Sequence, residues 1–272
     1  MSNSINTNVG AMVALASLRT TQTALSVASK QVQTGYRVSD ADDDASTFSV
    51  AQGIRGNLQA YQAVQGSLAN GVGLGSVTQA ALTNISNLIG NLQAKITQLA
   101  DGSISANQRT IYTADFNAMT TQISTFISQA NYNGVNLLSA GSVARTFLAD
   151  TNAATLTMTS QSAVNAAFTT FTGSSVASAS QATLALTSLT TFSLAVHTAL
   201  SNNASDARAL RLHGNFINSQ IDAIQAGLGA TVDADIGKAS AEVQSRQVQR
   251  QLGVQSLSLA NQQPQTLLGL FR

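Results

Sequence analysis

Asp40-Ala41-Asp42-Asp43-Asp44 places carboxylates at the first, third and fifth positions of a calcium-binding loop. Such a loop needs glycine at its sixth position and a bidentate glutamate at its twelfth. Ala45 and Ala51 stand there instead, so the cluster reads better as acids at a helix start, where carboxylates satisfy free N–H groups and meet the positive helix end. Gly71-Val72-Gly73-Leu74-Gly75-Ser76 hints at a phosphate-cradling loop, but the final glycine of the dinucleotide fingerprint is missing and no strand pattern precedes it. His197 and His213, the two histidines, fall on separate turns of an apolar helical region with no cysteine and few acids nearby. Serine is too abundant for any Ser, His and acid grouping to stand out. Asn84-Ile85-Ser86 and Asn203-Ala204-Ser205 match the N-glycosylation triplet, both inside helical patterns. No catalytic, cofactor-binding or metal-ligating residue emerges, and the expectation is a protein that is not an enzyme.

Composition turns the question from chemistry to association. The chain has 272 residues, with 13 Lys+Arg against 12 Asp+Glu and only 9% charged residues, where about a quarter is usual. A balance so close to neutral gives no general drive toward nucleic acid or anionic membranes. From Thr151 to Ser205 no Asp, Glu, Lys or Arg occurs, so that surface is wetted by hydroxyls and amides and tolerates close contact between identical copies. The absence of cysteine excludes disulfides and thiolate chemistry, and suits a chain that travels unfolded. The first residues lack the basic start and apolar core of a secretory signal, and no run approaches the ~18 apolar residues of a membrane span. These signals taken alone place the chain in the cytoplasm, so an external location requires a different export route.

One proline in 272 residues, with abundant Ala, Gln, Leu and Ser, favours long helices. Helices are predicted over 4–33, 45–100, 107–130, 182–227 and from Asp235 onward. A hairpin is predicted over 145–159 around Asp150-Thr151-Asn152, and a loop or variable surface over 163–181. Asn131-Tyr132-Asn133-Gly134 should end the third helix with a positive φ at Gly134. At ~100° per residue the first helix shows two apolar stripes. Ala11, Ala14, Leu18, Leu25 and Val32 form one; Ile5, Val9, Met12, Ala16 and Val27 lie nearly opposite. The last helix repeats this, with Ile236, Val243, Val254 and Leu257 on one side and Val248, Leu252 and Leu259 on another. A helix on a single core needs one stripe. Two stripes at both chain ends call for neighbours on both sides. The ending LSLANQQPQTLLGLFR adds Leu267, Leu268, Leu270 and Phe271, with Pro264 expected to break the helix near its tip.

These residues carry a family likeness. Thr21 to Ser46 resembles the N-terminal region of bacterial flagellins, with Gly35, Arg37, Asp43, Asp44 and Ala45 at the family's Gly, basic, acidic-pair and Ala places. Ser4-Ile5-Asn6-Thr7-Asn8 is similar to a flagellin start, closest to the short flagellins of alphaproteobacteria. Asn131 to Leu138, Asp233-Ala234-Asp235 and the stretch Leu259 to Gln265, closing on Leu270-Phe271-Arg272, resemble later family segments in the right order.

The resemblance implies a mainly α fold: a long antiparallel helical rod or coiled coil with paired N- and C-terminal helices and a small β-hairpin. It implies an inner filament-core domain from 1–40 and 233–272, a rod domain from 41–140 and 182–232, and a short hairpin and variable region over 141–181. It further implies a structural subunit, exported unfolded through the flagellar type III apparatus, that polymerises into an extracellular filament used for motility. Ile5, Val9, Leu18, Leu25, Val32, Val243, Leu252, Leu257, Leu259, Leu267, Leu268, Leu270 and Phe271 are the expected self-assembly residues. The implied partners are other copies, the export chaperone and gate, and the hook–filament junction and cap proteins, without nucleic acid, membrane insertion or cofactor. The alternatives are a hook–filament junction protein, similar to flagellin at both ends, and a surface adhesin or glycan-binding module built on the uncharged 151–205 region.

Overall fold

The computed structural model describes the backbone of residues 7–269 and the side chains of residues 7–262. Among them are six helices and one hairpin: α1 (Val9–Thr34), α2 (Ala45–Ala100), α3 (Ala106–Gln129), β1 (Arg145–Leu148), β2 (Thr155–Met158), α4 (Ser162–Thr172), α5 (Ala179–Val232) and α6 (Ile236–Gly269). The chain divides into two compact units, one of Met1–Gly56 with Ala223–Arg272 and one of Asn57–Asp222. The fold is mainly α, as expected, with the terminal helices paired.

In the second unit α2 and α5 run antiparallel. Gln65 Nε2 donates to Asn218 Oδ1, and further along Asn203 Nδ2 donates to the Gly75 carbonyl and to Gln79 Oε1. α3 folds back on α2, its first turn held by a reciprocal cap between Ser105 and Gln108. Arg109 donates to the free carbonyls of Leu99 and Asp101 at the end of α2. Lys95 pairs with Asp115 at 3.1 Å and lies 4.7 Å from the centre of the Tyr112 ring. α5 contains an 18-residue window of mean hydropathy 1.3, apolar and long enough to cross a membrane by composition alone. Its Ala182, Ala185, Leu189, Phe192 and Val196 are buried in the core shared with α2, α3 and α4.

α4 corrects the expected loop over 163–181. Its composition is Ser, Thr and Ala, but Val164, Phe168 and Phe171 recur at helical spacing and are buried. The Phe171 ring stacks on Phe192 at 5.9 Å and meets Phe116 edge-on at 5.7 Å, which anchors a helix that propensity alone would leave unassigned. The hairpin forms where expected, with Arg145 opposite Met158 and Leu148 opposite Thr155. Gly134 takes φ 79°, and its N–H donates to Asn131 Oδ1 in the turn after α3.

The glycine series that hinted at a phosphate loop lies inside α2 and has a packing role. A Cβ on Gly71 would stand 2.9 Å from Leu210 and 3.0 Å from the Phe147 ring; one on Gly75 would stand 3.0 Å from Met158 and 3.1 Å from Ala207. The bare backbone of α2 is therefore the surface on which the hairpin and α5 close.

Pro264 does not break α6, which continues to Gly269. Proline has no N–H to give to the carbonyl four residues earlier, here that of Ala260. That carbonyl instead accepts from Asn8 Nδ2 at 2.7 Å, so the helix loses a bond without leaving the acceptor bare.

The glycines separate into two kinds. Gly66→Ala and Gly90→Ala, where a Cβ meets open space, should raise stability by about 0.5–1 kcal/mol each. Gly71→Ala should lower it by about 1 kcal/mol or more through crowding. Urea denaturation followed by far-UV circular dichroism checks this; equal gains at all three positions would contradict the packing role.

Candidate assembly surface

The first unit is built on α1 and α6. Ala11, Ala14, Leu18, Thr21, Leu25 and Ala28 recede from solvent at alternating spacings of three and four, the repeat of a coiled-coil seam. α6 answers with Ala239, Val243, Gly253, Leu257 and Ala260. A Cβ on Gly253 would lie 3.2 Å from Leu18, so Leu18 packs over bare backbone of the partner helix. The contacts of Asn8 with Ala260 and of Gly35 with Ala234 set the pair antiparallel.

At the other end of the pair, the chain segments that follow α1 and α5 are sewn together. The Arg37 N–H donates to the Val232 carbonyl at 2.7 Å, the Ala234 N–H to the Gly35 carbonyl at 2.9 Å, and the Arg37 guanidinium to the Thr231 carbonyl at 2.6 Å. Gly35, with φ 74°, ends α1 in the left-handed region that glycine tolerates. Beneath lie Val38, Ala51 and Val232, with Phe48 and Leu228 packed against them.

The acidic run falls in this joint. Lys30 reaches Asp40 at 2.6 Å and Asp43 at 2.8 Å, and Asp43 also accepts from the N–H and hydroxyl of Ser39. Those bonds, that from Lys30 first, hold the Asp43 carboxyl far below the ordinary carboxylate range; the two carboxylates hold the Lys30 ammonium above its own. Asp44 caps α2 by accepting from Thr47 and Ser46, which lowers its pKa as well. Asp40, Asp43 and Asp44 are thus committed to a turn, a cap or a lysine, while Asp42 is exposed. His213 Nε2 meets the Ala149 carbonyl at 2.6 Å beside the hairpin turn, whereas His197 is exposed. Asn203 of the second sequon is buried inside the α2–α5 pair.

The structure divides the expected assembly residues. Leu25 is buried in the seam, and Leu18, Val243 and Leu257 are half-buried there. Val9, Val32, Leu252 and Leu259 stay exposed, at 55%, 37%, 57% and 64%. Ile5, Leu270 and Phe271 lie outside the described residues, as do the side chains of Leu267 and Leu268. The exposed face also contains Met12, Val27, Val248 and Val254, and Val13, which spacing could have found one turn beyond Val9. Ile236, expected with the inner stripe, is exposed because it opens α6 beyond the seam. Between the helices runs a groove of about 640 Å³, lined by Leu18, Arg19, Gln22, Arg250, Gln251 and Val254.

A paired-helix unit that leaves apolar residues of both helices exposed defines the class as a mainly helical protein. The bacterial flagellin N-terminal helical region matches residues 5–142, and the bacterial flagellin C-terminal helical region matches residues 204–271. Flagellin FljN of Caulobacter vibrioides is 36% identical, with 99% of both chains covered. A flagellin of Brucella melitensis is 33% identical over 99% of both, and Caulobacter FljK is 31% identical over the same share. The chain belongs to the bacterial flagellins, of the short alphaproteobacterial type, and is a structural subunit of the flagellar filament. The junction-protein and adhesin readings are not favoured by these relatives.

The joint makes stability acid-sensitive. Asp43 has a folded pKa below its unfolded value of about 3.9, so its contribution is complete above that value and is lost as pH falls beneath it. Asp43→Asn should therefore flatten the fall in denaturant midpoint between about pH 4 and pH 2. Parallel wild-type and Asp43→Asn curves through that window would show the Lys30–Asp43 contact to be idle.

Proposed function

We propose that the chain polymerises head-to-tail with copies of itself through the outward apolar faces of α1 and α6. The observation that carries this reading is the row Val9, Met12, Val13 and Val27 on α1 with Val248, Leu252 and Leu259 on α6, all exposed beside a seam already filled. Exposed apolar residues recurring on one face of each paired helix ask for a protein partner. A heterologous contact that does not close on itself repeats into a helical filament. The chain is no enzyme in this reading. Residues 1–40 and 233–272 form the inner, filament-core part, and 41–140 with 182–232 the rod. Ile5, Leu267, Leu268, Leu270 and Phe271 are further self-assembly residues in this reading.

Export unfolded through the flagellar type III route, with a chaperone holding the apolar C-terminal segment, fits a chain without cysteine. The finished location is extracellular, with the hook–filament junction and cap proteins at the filament's two ends. The uncharged stretch from Thr151 to Ser205 presents Leu184 and Leu194, both largely exposed, as a further surface for neighbouring copies.

Removal of residues 1–40 and 233–272 tests the reading. The shortened chain should keep the helical signal and cooperative melting of the 57–222 unit, yet form no filaments under seeding that polymerises the full chain at the same concentration. Filaments seen by electron microscopy from the shortened protein would place assembly elsewhere.

A further inference from the structure

We infer that Asn8 and Pro264 form a matched clamp that fixes the register of the two terminal helices and so makes the pair competent for assembly. This rests on the assembly reading above. Asn8 is the N-cap of α1, its Oδ1 accepting from the Ala11 N–H at 3.0 Å. Its Nδ2 reaches across to the Ala260 carbonyl at 2.7 Å in a partly buried bond. Ala260 lies four residues before Pro264, so its carbonyl is an acceptor that the i to i+4 ladder of α6 does not serve.

An orphaned acceptor at an interface takes its hydrogen bond from water or from a protein donor, and a donor fixed on the facing helix adds direction to the contact. Proline therefore marks one point on α6, and the amide of Asn8 finds that point from α1. The side chain must be donor and acceptor together: its oxygen is held by the α1 cap and its nitrogen by the α6 carbonyl, and the reverse orientation would set like poles against each other in both contacts. Aspartate would keep the cap and lose the donor; alanine would lose both. The Gly35–Ala234 stitch holds one end of the pair, but toward the other end the seam is lined by the small Ala11, Ala14 and Gly253 beside Leu18, which give little directional hold. The Asn8 bond is the directional contact at the end of the pair away from that stitch.

The test is a cycle of Asn8→Asp, Pro264→Ala and the double variant in the full chain, with Asn8→Ala, alone and combined with Pro264→Ala, as a further pair. The first readout is the critical concentration for seeded polymerisation. The second is the rate of disulfide formation between cysteines placed as Leu18→Cys and Gly253→Cys under the same conditions, which reads register without needing filaments; the chain has no other cysteine. Asn8→Asp should raise the critical concentration about tenfold and slow cross-linking by a similar factor. Pro264→Ala alone should cause part of the same loss, because residue 264 then serves the Ala260 carbonyl and Asn8 loses its matched acceptor, and Asn8→Asp should add little in that background. Asn8→Ala should still lose further in the Pro264→Ala background, since it also removes the α1 cap. A loss from Asn8→Asp that is the same whether position 264 holds proline or alanine, or no loss at all, overturns the clamp. If the cross-linking pattern holds while even the wild-type chain fails to polymerise, the assembly reading falls and the clamp stands.

Discussion

Everything in this molecule turns on a helix pair that cannot satisfy itself. α1 carries apolar residues on two opposite sides, and its partner α6 covers only one of them. Leu18 and Leu25 go into the seam with Val243 and Leu257; Val9, Met12 and Val13 remain in water with Leu252 and Leu259. At ~25 cal/mol per Å² of apolar area, a face of this size is a considerable driving force held in reserve. Low charge lets like approach like, and the seam keeps the two helices together while they do so.

The joint at the far end of the pair is held by polar bonds over a small apolar cluster. Lys30 between Asp40 and Asp43, the Arg37 bond to Thr231 and the backbone stitches to Val232 and Gly35 are directional. The Asn8 bond does the same service at the other end. The terminal pair is thus apolar along its length and polar at its two ends, a division of labour between area and direction.

Much of this was legible from the residues. The two stripes on each terminal helix, the hairpin around Asp150, the turn at Gly134 and the helix-capping role of the acidic run all follow from periodicity and from turn and capping chemistry. α4 was hidden because its Ser, Thr and Ala residues favour no structure strongly, and its three anchors depend on Phe116 and Phe192, distant in sequence. The close approaches at Gly71 and Gly75 were hidden for the same reason: which glycine is crowded depends on what folds onto it. Which apolar residues face inward was only half readable, since a two-striped helix does not say which stripe its own chain will cover. The reach of Asn8 to Ala260 spans 252 residues, and only the missing N–H of Pro264 hinted that something should fill the gap.

The central claim is that the outward stripe, and not the seam, joins one subunit to the next. Replacing Val9, Met12, Val13, Leu252 and Leu259 together by serine or threonine tests it most directly, with seeded polymerisation followed by light scattering and electron microscopy. The account predicts an unchanged melting of the 57–222 unit and intact pairing of α1 with α6, but a critical concentration raised at least a hundredfold. Filaments forming at the wild-type concentration would contradict it.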